Sequence, residues 1–307
     1  MSLIKKSVYI EKAPAKVNLF LNVMDKRTDG YHNLQTLFQA IDLCDYVTFE
    51  VSIETGDEDE VDFEVCIDSN NDTIKALGPT NIVAKTIEVF FSELPDSIIN
   101  LLGKVLIEVY IDKHIPINAG LGGGSADAGA VLRILNTFFN QNFDLGLSET
   151  EILKIAQKIG ADVPFSFLSP SKPRLYAESL GEDFKALDPE FPFDNFKRVI
   201  VVKPNIDIQT AKAYEMIDEA KEAIQQYSNG EISFYNSFEK VIFSEHPELA
   251  SIKKGLKDIG CDYSLLTGSG SAILGFLHDD RDFDTVFAAA QEIFNGYQVI
   301  KSNFLNN

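Results

Sequence analysis

Short runs of alternating apolar and polar residues dominate the first third of the chain. Such runs predict β-strands, because successive side chains of a strand point to opposite faces of a sheet. The strand candidates are VYI at Val8–Ile10, VNLFLNVM at Val17–Met24, NLQTLFQAI from Asn33, YVTFEVSI from Tyr46, DFEVCI after the acidic stretch 54–62, and KVLIEVYID from Lys104. The acidic stretch itself, which contains Gly56, is interpreted as a solvated turn.

Three segments of this half have helical patterns. Asn81 can cap a helix whose apolar residues recur at Ile82, Ile87, Phe90, Phe91 and Leu94. A second helix follows a glycine-rich loop and buries a face that includes Ala130, Val131, Ile134 and Leu135. A third is predicted between the capping-box pair Ser148 and Glu151 and the stop at Gly160.

The pattern changes after residue 170, where proline, serine and aromatic residues up to Phe193 predict irregular structure and a domain boundary. Beyond it, strands and helices follow in the order β, α, β, β, α, β, which is typical of a ferredoxin-like fold with extra helices in its first crossover. The predicted segments are strand 198–203, a helix from Thr210 to Ser228, two more helices up to Ile259, strands 262–266 and 272–277, helix 282–294 and strand 298–302. The fold class is therefore α+β in two domains, 1–172 and 173–307.

Composition narrows the function classes. The 307 residues include 27 basic and 47 acidic side chains, a formal net charge of -20. That charge has the wrong sign for gathering nucleic acid or anionic lipid, so we expect neither as a partner. The three widely spaced cysteines, Cys44, Cys66 and Cys261, suggest neither a disulfide framework nor a zinc site. With no apolar run of membrane-spanning length, the sequence predicts a cytoplasmic protein, and it gives no signal for an oligomeric state.

The segment with the clearest chemistry is GLGGGSADA at residues 120–128, which leads directly into a helix. Backbone N–H groups at such a helix start are unpaired and favour an anion, so a phosphate is the expected guest. No Gly-Lys-Ser/Thr follows, and Ser125 stands where a dinucleotide fingerprint needs glycine, so both common nucleotide motifs are disfavoured. The alternative is a glycine-rich turn needed only for tight packing.

This segment, together with APAKVNLFLNV near the N-terminus and LLTGSGSAILG at 265–275, resembles the GHMP kinases, which include galactose, homoserine and mevalonate kinases. The resemblance implies a two-domain fold with an N-terminal α/β domain carrying the phosphate loop, a C-terminal ferredoxin-like domain and an active site between them. It also implies Mg-ATP as phosphoryl donor. The implied ATP-binding residues are Lys113, Pro116, Ile117, Asn118, Ala119, Gly120, Leu121, Gly122, Gly123, Gly124, Ser125 and Ala126.

The same resemblance assigns a catalytic pair, Lys16 and Asp162. An aspartate can accept the proton of an attacking hydroxyl while a nearby ammonium orients it and offsets charge on the transferred phosphoryl group. Two alternatives stay open from the residues alone: Lys16 as an exposed strand lysine, and Asp162 as a loop residue that bonds to local backbone. Protein ligands of the metal cannot be assigned, although Ser125 is a candidate.

Two motifs, R-x-D-G-Y-H ending at His32 and IGADVPF at 159–165, resemble the GHMP kinases that phosphorylate a cytidine diphosphate-linked methylerythritol in isoprenoid synthesis. The resemblance implies that this small molecule is the substrate. Its implied contacts are Asn18, Tyr31, His32, Thr210 and Tyr214, with the two tyrosines stacking on the base. Half-buried core or turn positions are the alternative for the three aromatic residues, and Thr210 would serve equally well as a helix N-cap.

The chain departs from the family pattern at two positions. Ala126 stands where many relatives have a second serine, and Asn118 where alanine or glycine is usual, so one hydroxyl contact to phosphate or metal is in doubt. Two other functions remain possible from the sequence. The protein could phosphorylate a different alcohol, such as homoserine or mevalonate, or it could bind a nucleotide without catalysis.

Overall fold

A computed structural model describes residues 4–55, 61–185, 193–220 and 233–306. The chain divides into two compact units, each assembled from separate stretches of sequence. Unit 1 comprises the described residues within Met1–Pro14, Cys44–Ile115 and Gly123–Leu168. Unit 2 comprises those within Ala15–Leu43, Pro116–Gly122 and Ser169–Asn307.

The strands of the described residues are β1 (Ile4–Lys26), β2 (His32–Thr55), β3 (Asp62–Ser69), β4 (Leu102–Asp112), β5 (Arg174–Ser179), β6 (Asp183–Lys185), β7 (Phe196–Lys203), β8 (Tyr235–Asn236), β9 (Tyr263–Leu266), β10 (Ile273–His278) and β11 (Gln298–Asn303). The helices are α1 (Asp72–Ala76), α2 (Ile82–Ser92), α3 (Asp96–Ile99), α4 (Gly123–Phe143), α5 (Glu149–Ile159), α6 (Val163–Leu168), α7 (Thr210–Glu219), α8 (Phe238–Glu245), α9 (Pro247–Asp258) and α10 (Phe283–Ile293), with a 3-10 turn at Gly78–Thr80.

Unit 1 combines a sheet with a helical layer. The C-terminal part of β2 pairs antiparallel with β4, and β3 runs parallel to the other edge of β4. Alternate residues of β2 and β4 are buried, as the period of a strand requires. Helices α2, α4, α5 and α6 pack on one another. A cluster of phenylalanine rings, which includes Phe63 of β3 and Phe91 of α2 at a centroid distance of 4.8 Å, joins sheet and helices.

Unit 2 contains the predicted ferredoxin-like sheet. Its strands lie in the order β11-β7-β10-β9, and all three pairings are antiparallel. Numbered along the chain, that order is 4-1-3-2, as in the βαββαβ fold. Apolar residues of α7, α8, α9 and α10 pack on the buried face of this sheet in one continuous core. The predicted α+β class and the ferredoxin-like half are confirmed.

Several predicted breaks between strands are wrong. Val8–Ile10 and Val17–Met24 both lie in the uninterrupted strand β1, and the two candidates from Asn33 and Tyr46 lie in β2. Polar residues lie between the paired candidates, and tertiary contacts satisfy them: the buried carboxylate of Asp45, for example, accepts backbone N–H bonds from two residues after β4. Strand continuity was therefore decided by partners distant in sequence.

The segment after residue 170 also differs from its prediction, because β5 and β6 form a ladder there and β5 pairs with β2. The predicted helix 210–228 is observed as α7, and its continuation beyond residue 220 lies outside the described residues, as do residues 56–60 of the acidic turn. Across the described ranges, no helix is long and apolar enough to span a membrane.

Candidate active site

In unit 2, the loop at residues 116–122 packs on a second glycine-containing turn, residues 267–270. Gly120 has a φ of 76°, and a Cβ built on it would lie 2.2 Å from the carbonyl oxygen of Thr267. The Thr267 hydroxyl donates to the Gly120 carbonyl at 3.3 Å, and Ala272 N–H donates to the Ala119 carbonyl at 3.2 Å. Glycine at position 120 is thus required by both backbone conformation and close approach.

A buried asparagine holds the second turn in place. The Asn236 side-chain amide donates to the carbonyls of Leu266 (2.7 Å) and Gly268 (2.8 Å), while its Oδ1 accepts from Phe238 N–H at 2.9 Å. Asn236 belongs to the two-residue strand β8, which runs parallel to β1. All the hydrogen-bonding groups of this amide but one are used on backbone, so the turn is rigidly tied to the sheet.

Lys16 lies in β1 beside the same loop. Its N–H donates to the Leu121 carbonyl at 2.9 Å, and a Cβ on Gly122 would come within 2.9 Å of its Cγ. The ammonium donates to Asn18 Oδ1 at 2.8 Å, and the Asn18 amide donates in turn to Thr36 Oγ1 at 2.8 Å. Lys16 is only 5% exposed, so the alternative of an exposed strand lysine is wrong.

The loop also explains one departure from the family pattern. Asn118 has a φ of 54°, the left-handed region that strains most side chains. Asparagine tolerates this conformation better than other non-glycine residues, because its short polar side chain can bond locally. Asparagine is therefore compatible with the backbone conformation of the loop at position 118.

In unit 1, α4 begins at Gly123, so the N–H groups of Gly123, Gly124, Ser125 and Ala126 have no helical acceptor one turn earlier. These amides and the dipole of a 21-residue helix make its start favourable for an anion. Gly124 is exposed, while Ala126 is 1% exposed and packed in the core. The serine missing at position 126 is thus replaced by apolar packing.

Beneath this helix start lies a buried charge cluster. Lys113 Nζ donates to Asp45 Oδ2 at 2.5 Å and to Asp127 Oδ2 at 2.7 Å, and all three side chains are at most 4% exposed. Burial disfavours the charged carboxylate of Asp127 and raises its pKa to about 8. The positive charge of Lys113 works against this shift, and the negative charge of Asp45 adds to it. Burial disfavours the charged Lys113, but the two carboxylates outweigh it and raise the pKa of the lysine. Lys113 is engaged within the protein, and its contact with ATP stays a prediction.

Asp162 directly precedes α6 and is half-buried. Its carbonyl accepts hydrogen bonds from Ser166 N–H and Ser166 Oγ, both at 3.0 Å, which begin the helix. The backbone of α6 lies against α4 at Gly129, where a Cβ would come within 2.7 Å of the Ser166 carbonyl carbon. Small residues on α4 therefore bring the segment that carries Asp162 close to the helix that starts at Gly123.

The predicted nucleoside residues begin at the turn between β1 and β2. Tyr31 follows Gly30, whose φ is 89°, and its ring is 63% exposed. The Tyr31 N–H donates to Asp29 Oδ1 at 3.1 Å, and this bond, with those from Arg27, lowers the pKa of the Asp29 carboxyl. A large aromatic side chain held outward on an ordered turn is suited to stacking on a planar ligand.

His32, the next residue, is contacted by α7 on two sides. Its Nε2 lies 2.9 Å from Asp218 Oδ1, and its ring is stacked on Tyr214 at a centroid distance of 5.1 Å and an interplanar angle of 19°. Asp218 also accepts from Lys26. Partial burial works to raise the pKa of Asp218, but the hydrogen bonds from Lys26 and His32 outweigh it and lower that pKa.

Thr210 starts α7 but does not cap it. The N-cap position belongs to Gln209, and the Thr210 hydroxyl instead lies 3.1 Å from the Ser269 hydroxyl of the second glycine turn. The N-cap interpretation of Thr210 is therefore wrong. Of the predicted substrate residues, unit 2 brings His32 and Tyr214 into contact, with Tyr31 next to His32 in the chain. It connects Thr210 and Asn18 separately to the turn at 267–270.

Comparison with known proteins decides the family. The models of the GHMP kinase N-terminal and C-terminal domains match residues 81–169 and 216–296. A 4-diphosphocytidyl-2-C-methyl-D-erythritol kinase of Clostridium tetani is 35% identical over 95% of this chain and 99% of its own length. One of Bacteroides fragilis is 32% identical over 91% of this chain and 97% of its own. The chain belongs to this family of GHMP kinases.

Solved structures agree with this assignment. The crystal structure of a 4-(cytidine 5'-diphospho)-2C-methyl-D-erythritol kinase matches with a TM-score of 0.68 and 28% identity, covering 97% of this chain and all of the other. A homoserine kinase of Cytophaga hutchinsonii matches with a TM-score of 0.61 at 17% identity, over 96% of this chain and 95% of the other, which shows a common fold only. As a GHMP kinase, the protein uses ATP and acts on a small molecule.

The described residues of this GHMP kinase contain no group of three or more His, Cys, Asp or Glu side chains able to hold a metal ion. In kinases Mg²⁺ is held largely by phosphate oxygens of the nucleotide and by water. The Ser125 hydroxyl, in the first turn of α4, is the protein group placed among the amides that would face such phosphates.

Sequence reasoning missed four polar residues of this GHMP kinase: Asp45, Asp127, Asn236 and Asp218. Asp45, Asn236 and Asp218 are recognised only through partners farther along the chain, such as His32 for Asp218, 186 residues away. Asp127 carried one usable signal, a carboxylate within an otherwise small and apolar helix face. The other three stand in segments whose local pattern indicated only a strand, a loop or a helix.

Proposed function

We propose that this GHMP kinase transfers the terminal phosphoryl group of ATP to the 2-hydroxyl of 4-diphosphocytidyl-2-C-methyl-D-erythritol, a step toward isoprenoid precursors on the non-mevalonate route. The observation that carries the proposal is the phosphate-type loop running into α4, in a chain whose near full-length relatives are named for this kinase. The exposed Tyr31 beside the His32–Tyr214 stack supports a planar base as part of the substrate.

In the proposed reaction, the first-turn amides of α4 and the loop 116–122 bind the triphosphate, and Lys113, which lies beneath the start of α4, adds positive charge. Asp162 accepts the proton of the attacking hydroxyl, and the Lys16 ammonium, oriented by Asn18, offsets negative charge on the transferred group. The Ser125 hydroxyl is the candidate protein group to hold Mg²⁺, which when bound would supply further neutralisation of the phosphate charge. Tyr31 and Tyr214 stack on the cytosine, His32 bonds to its edge, and Thr210 contacts the rest of the substrate.

Two expectations from the sequence remain part of the proposal. The domain boundary at 172/173 lies between the two matched family models, 81–169 and 216–296. A cytoplasmic location is supported by the three cysteines, which form no disulfide and suit a reducing compartment.

A direct test supplies the protein with Mg-ATP and three alcohols in parallel: the diphosphocytidyl compound, homoserine and mevalonate. We expect release of ADP and phosphorylation only with the first, measured by coupled ADP assay and by mass of the product. Turnover of homoserine or mevalonate instead would assign the protein to another GHMP activity. ATP binding without turnover of any of the three would indicate a non-catalytic homologue.

A further inference from the structure

Two residues of α7, one helical turn apart, hold the ring of His32. Tyr214 covers one face of the imidazole, and Asp218 contacts its Nε2 at 2.9 Å. Residues at i and i+4 lie on the same face of a helix, so one helix supplies both contacts. The His32 side chain is 3% exposed, which leaves its ring little freedom to turn over.

The hydrogen bond determines which ring nitrogen carries the proton. Lys26 and His32 keep Asp218 ionised, and an ionised carboxylate can only accept hydrogen bonds. Nε2 must therefore be the donor, and in the neutral imidazole Nδ1 then presents a lone pair. Among the described residues, Nδ1 has no hydrogen-bond partner.

Tyr31, the exposed aromatic residue of this subsite, immediately precedes the buried His32 in the chain. A base that stacks on Tyr31 presents its edge to groups around that ring. Cytosine has an exocyclic amino group, a hydrogen-bond donor, where uracil has a carbonyl oxygen, an acceptor. A lone pair at Nδ1 pairs with the amino group and faces the lone pairs of the carbonyl.

We infer that Asp218 is a positioning residue that holds His32 in its Nε2–H tautomer, so that Nδ1 accepts from the amino group of cytosine and rejects uracil. This inference rests on the proposed function, because it assigns the cytidine moiety to the Tyr31–His32 subsite. Asp218 reaches the base only through His32. Its role is selectivity between two pyrimidines and not the chemical step.

Binding of cytidine 5'-diphosphate and uridine 5'-diphosphate tests the inference without relying on turnover. Both are titrated by calorimetry into the full-length protein, with ADP present at saturation to fill the ATP subsite. We expect wild type to prefer the cytidine nucleotide and Asp218→Ala to reduce that preference about 10-fold, the equivalent of one neutral hydrogen bond. The matched control is Glu215→Gln, which removes a negative charge from an exposed position of the same helix and leaves the preference unchanged.

A spectroscopic measurement separates selectivity from simple loss of folding. The ¹⁵N chemical shifts of the His32 imidazole, assigned by comparison with His32→Gln, should show the Nε2–H tautomer in wild type and a mixture in Asp218→Ala. An Nδ1–H tautomer in wild type, or an unchanged preference in a folded Asp218→Ala protein, would overturn the inference. Failure to phosphorylate the diphosphocytidyl compound would instead count against the proposed function, since neither binding nor tautomer depends on turnover.

Discussion

At the residue scale, the buried polar side chains of unit 2 form directed chains and not isolated charges. Lys16, Asn18 and Thr36 pass hydrogen bonds from one to the next, ending on the Phe20 carbonyl at 2.9 Å. Each of the three side chains donates to the next group in the series, which favours one direction of the lysine side chain. A preorganised cation of this kind has little reorganisation to undergo when a phosphoryl group is transferred.

The proposed general base can be tested by Asp162→Asn. The amide keeps the shape of the side chain but cannot accept the hydroxyl proton, so we expect kcat to fall by roughly 10²-fold to 10⁴-fold. ATP binding, measured by calorimetry, should change little. Asp96→Asn, at an exposed position of unit 1, is the matched control. Turnover close to wild type in Asp162→Asn would remove Asp162 from the mechanism.

The proposed stacking on the base is tested by substituting Tyr31. Because this side chain is exposed, its truncation should change the stability of the fold little. Loss of one stacking partner costs about 1 to 3 kcal/mol, so Tyr31→Ala should raise KM for the diphosphocytidyl substrate roughly 5-fold to 150-fold. The KM for ATP should change much less. Tyr31→Phe retains the ring and should restore the wild-type value. Equal increases for both substrates would contradict the stacking assignment.

At the scale of elements, glycine residues allow the backbones of neighbouring elements to approach closely at two places. The loop 116–122 lies against the turn 267–270 through Gly120, and α4 lies against α6 through Gly129. In both places a methyl group would meet main-chain atoms at less than 3 Å, which cannot be relieved by turning a side chain. Glycine is therefore needed here for contact between elements, in addition to any contact with phosphate.

Gly120→Ala measures the value of this contact. The substitution adds both left-handed strain, at a φ of 76°, and a clash with the Thr267 carbonyl. Gly296→Ala is the matched control, because Gly296 has a φ of 97° but a Cβ added to it would meet nothing within 4 Å. We expect thermal unfolding of Gly120→Ala at a clearly lower temperature than Gly296→Ala, together with a raised KM for ATP. Equal destabilisation of the two variants would show that strain alone acts at position 120.

At the scale of the whole molecule, a net charge of -20 contrasts with a substrate and a donor that are both anionic. The overall field opposes their approach, so we expect binding to depend on local groups, such as the amides at the start of α4. The same excess of carboxylates makes stability depend on pH. Hydrogen bonds and nearby cations lower the pKa of several carboxyl groups, among them Asp42, Asp218 and Asp262, and the stability that these groups contribute is lost as pH falls below about 4.

Asp127 acts in the opposite direction. With a folded-state pKa of about 8 against 3.8 unfolded, it keeps a proton in the native protein that the unfolded chain has lost. Its contribution to stability is therefore greatest below about pH 4, falls as pH rises toward 8 and then levels off. Asp127→Asn removes this titration. We expect the stability of wild type relative to the variant to decline between pH 5 and 8, measured by thermal unfolding, with Asp96→Asn as control. A constant difference over that range would place the Asp127 proton elsewhere.

Much of the fold was predictable from local pattern. Alternation located the main strands, helical spacing located α2 and α5, and the Ser148–Glu151 capping box is observed as predicted. The ferredoxin-like strand order followed from the order of elements. Short elements such as α6 and β8 were not predicted, because a few residues carry too little periodicity to indicate a helix or strand.

The site was predictable to the extent that it depends on motifs. The glycine loop, Lys16 and Tyr31 were each found from contiguous residues, and their roles in binding and catalysis stay predictions. Asp218, Asn236 and Asp45 could not be found in this way. Each of these residues forms hydrogen bonds with a partner that only folding brings near. A single polar residue in a sequence does not indicate which distant group will become its hydrogen-bond partner.

The amino-acid sequence by itself determined three features: the positions of turns, the strands with alternating apolar and polar side chains, and the glycine-rich segment whose backbone N–H groups are accessible to an anion. These are local properties of neighbouring residues. Tertiary structure alone decided that β1 and β2 run without a break, that Gly120 must accommodate Thr267, and that His32 is held by Asp218. These outcomes depend on hydrogen bonds and packing between residues far apart in the chain, whose free energy is realised only when the whole core has formed.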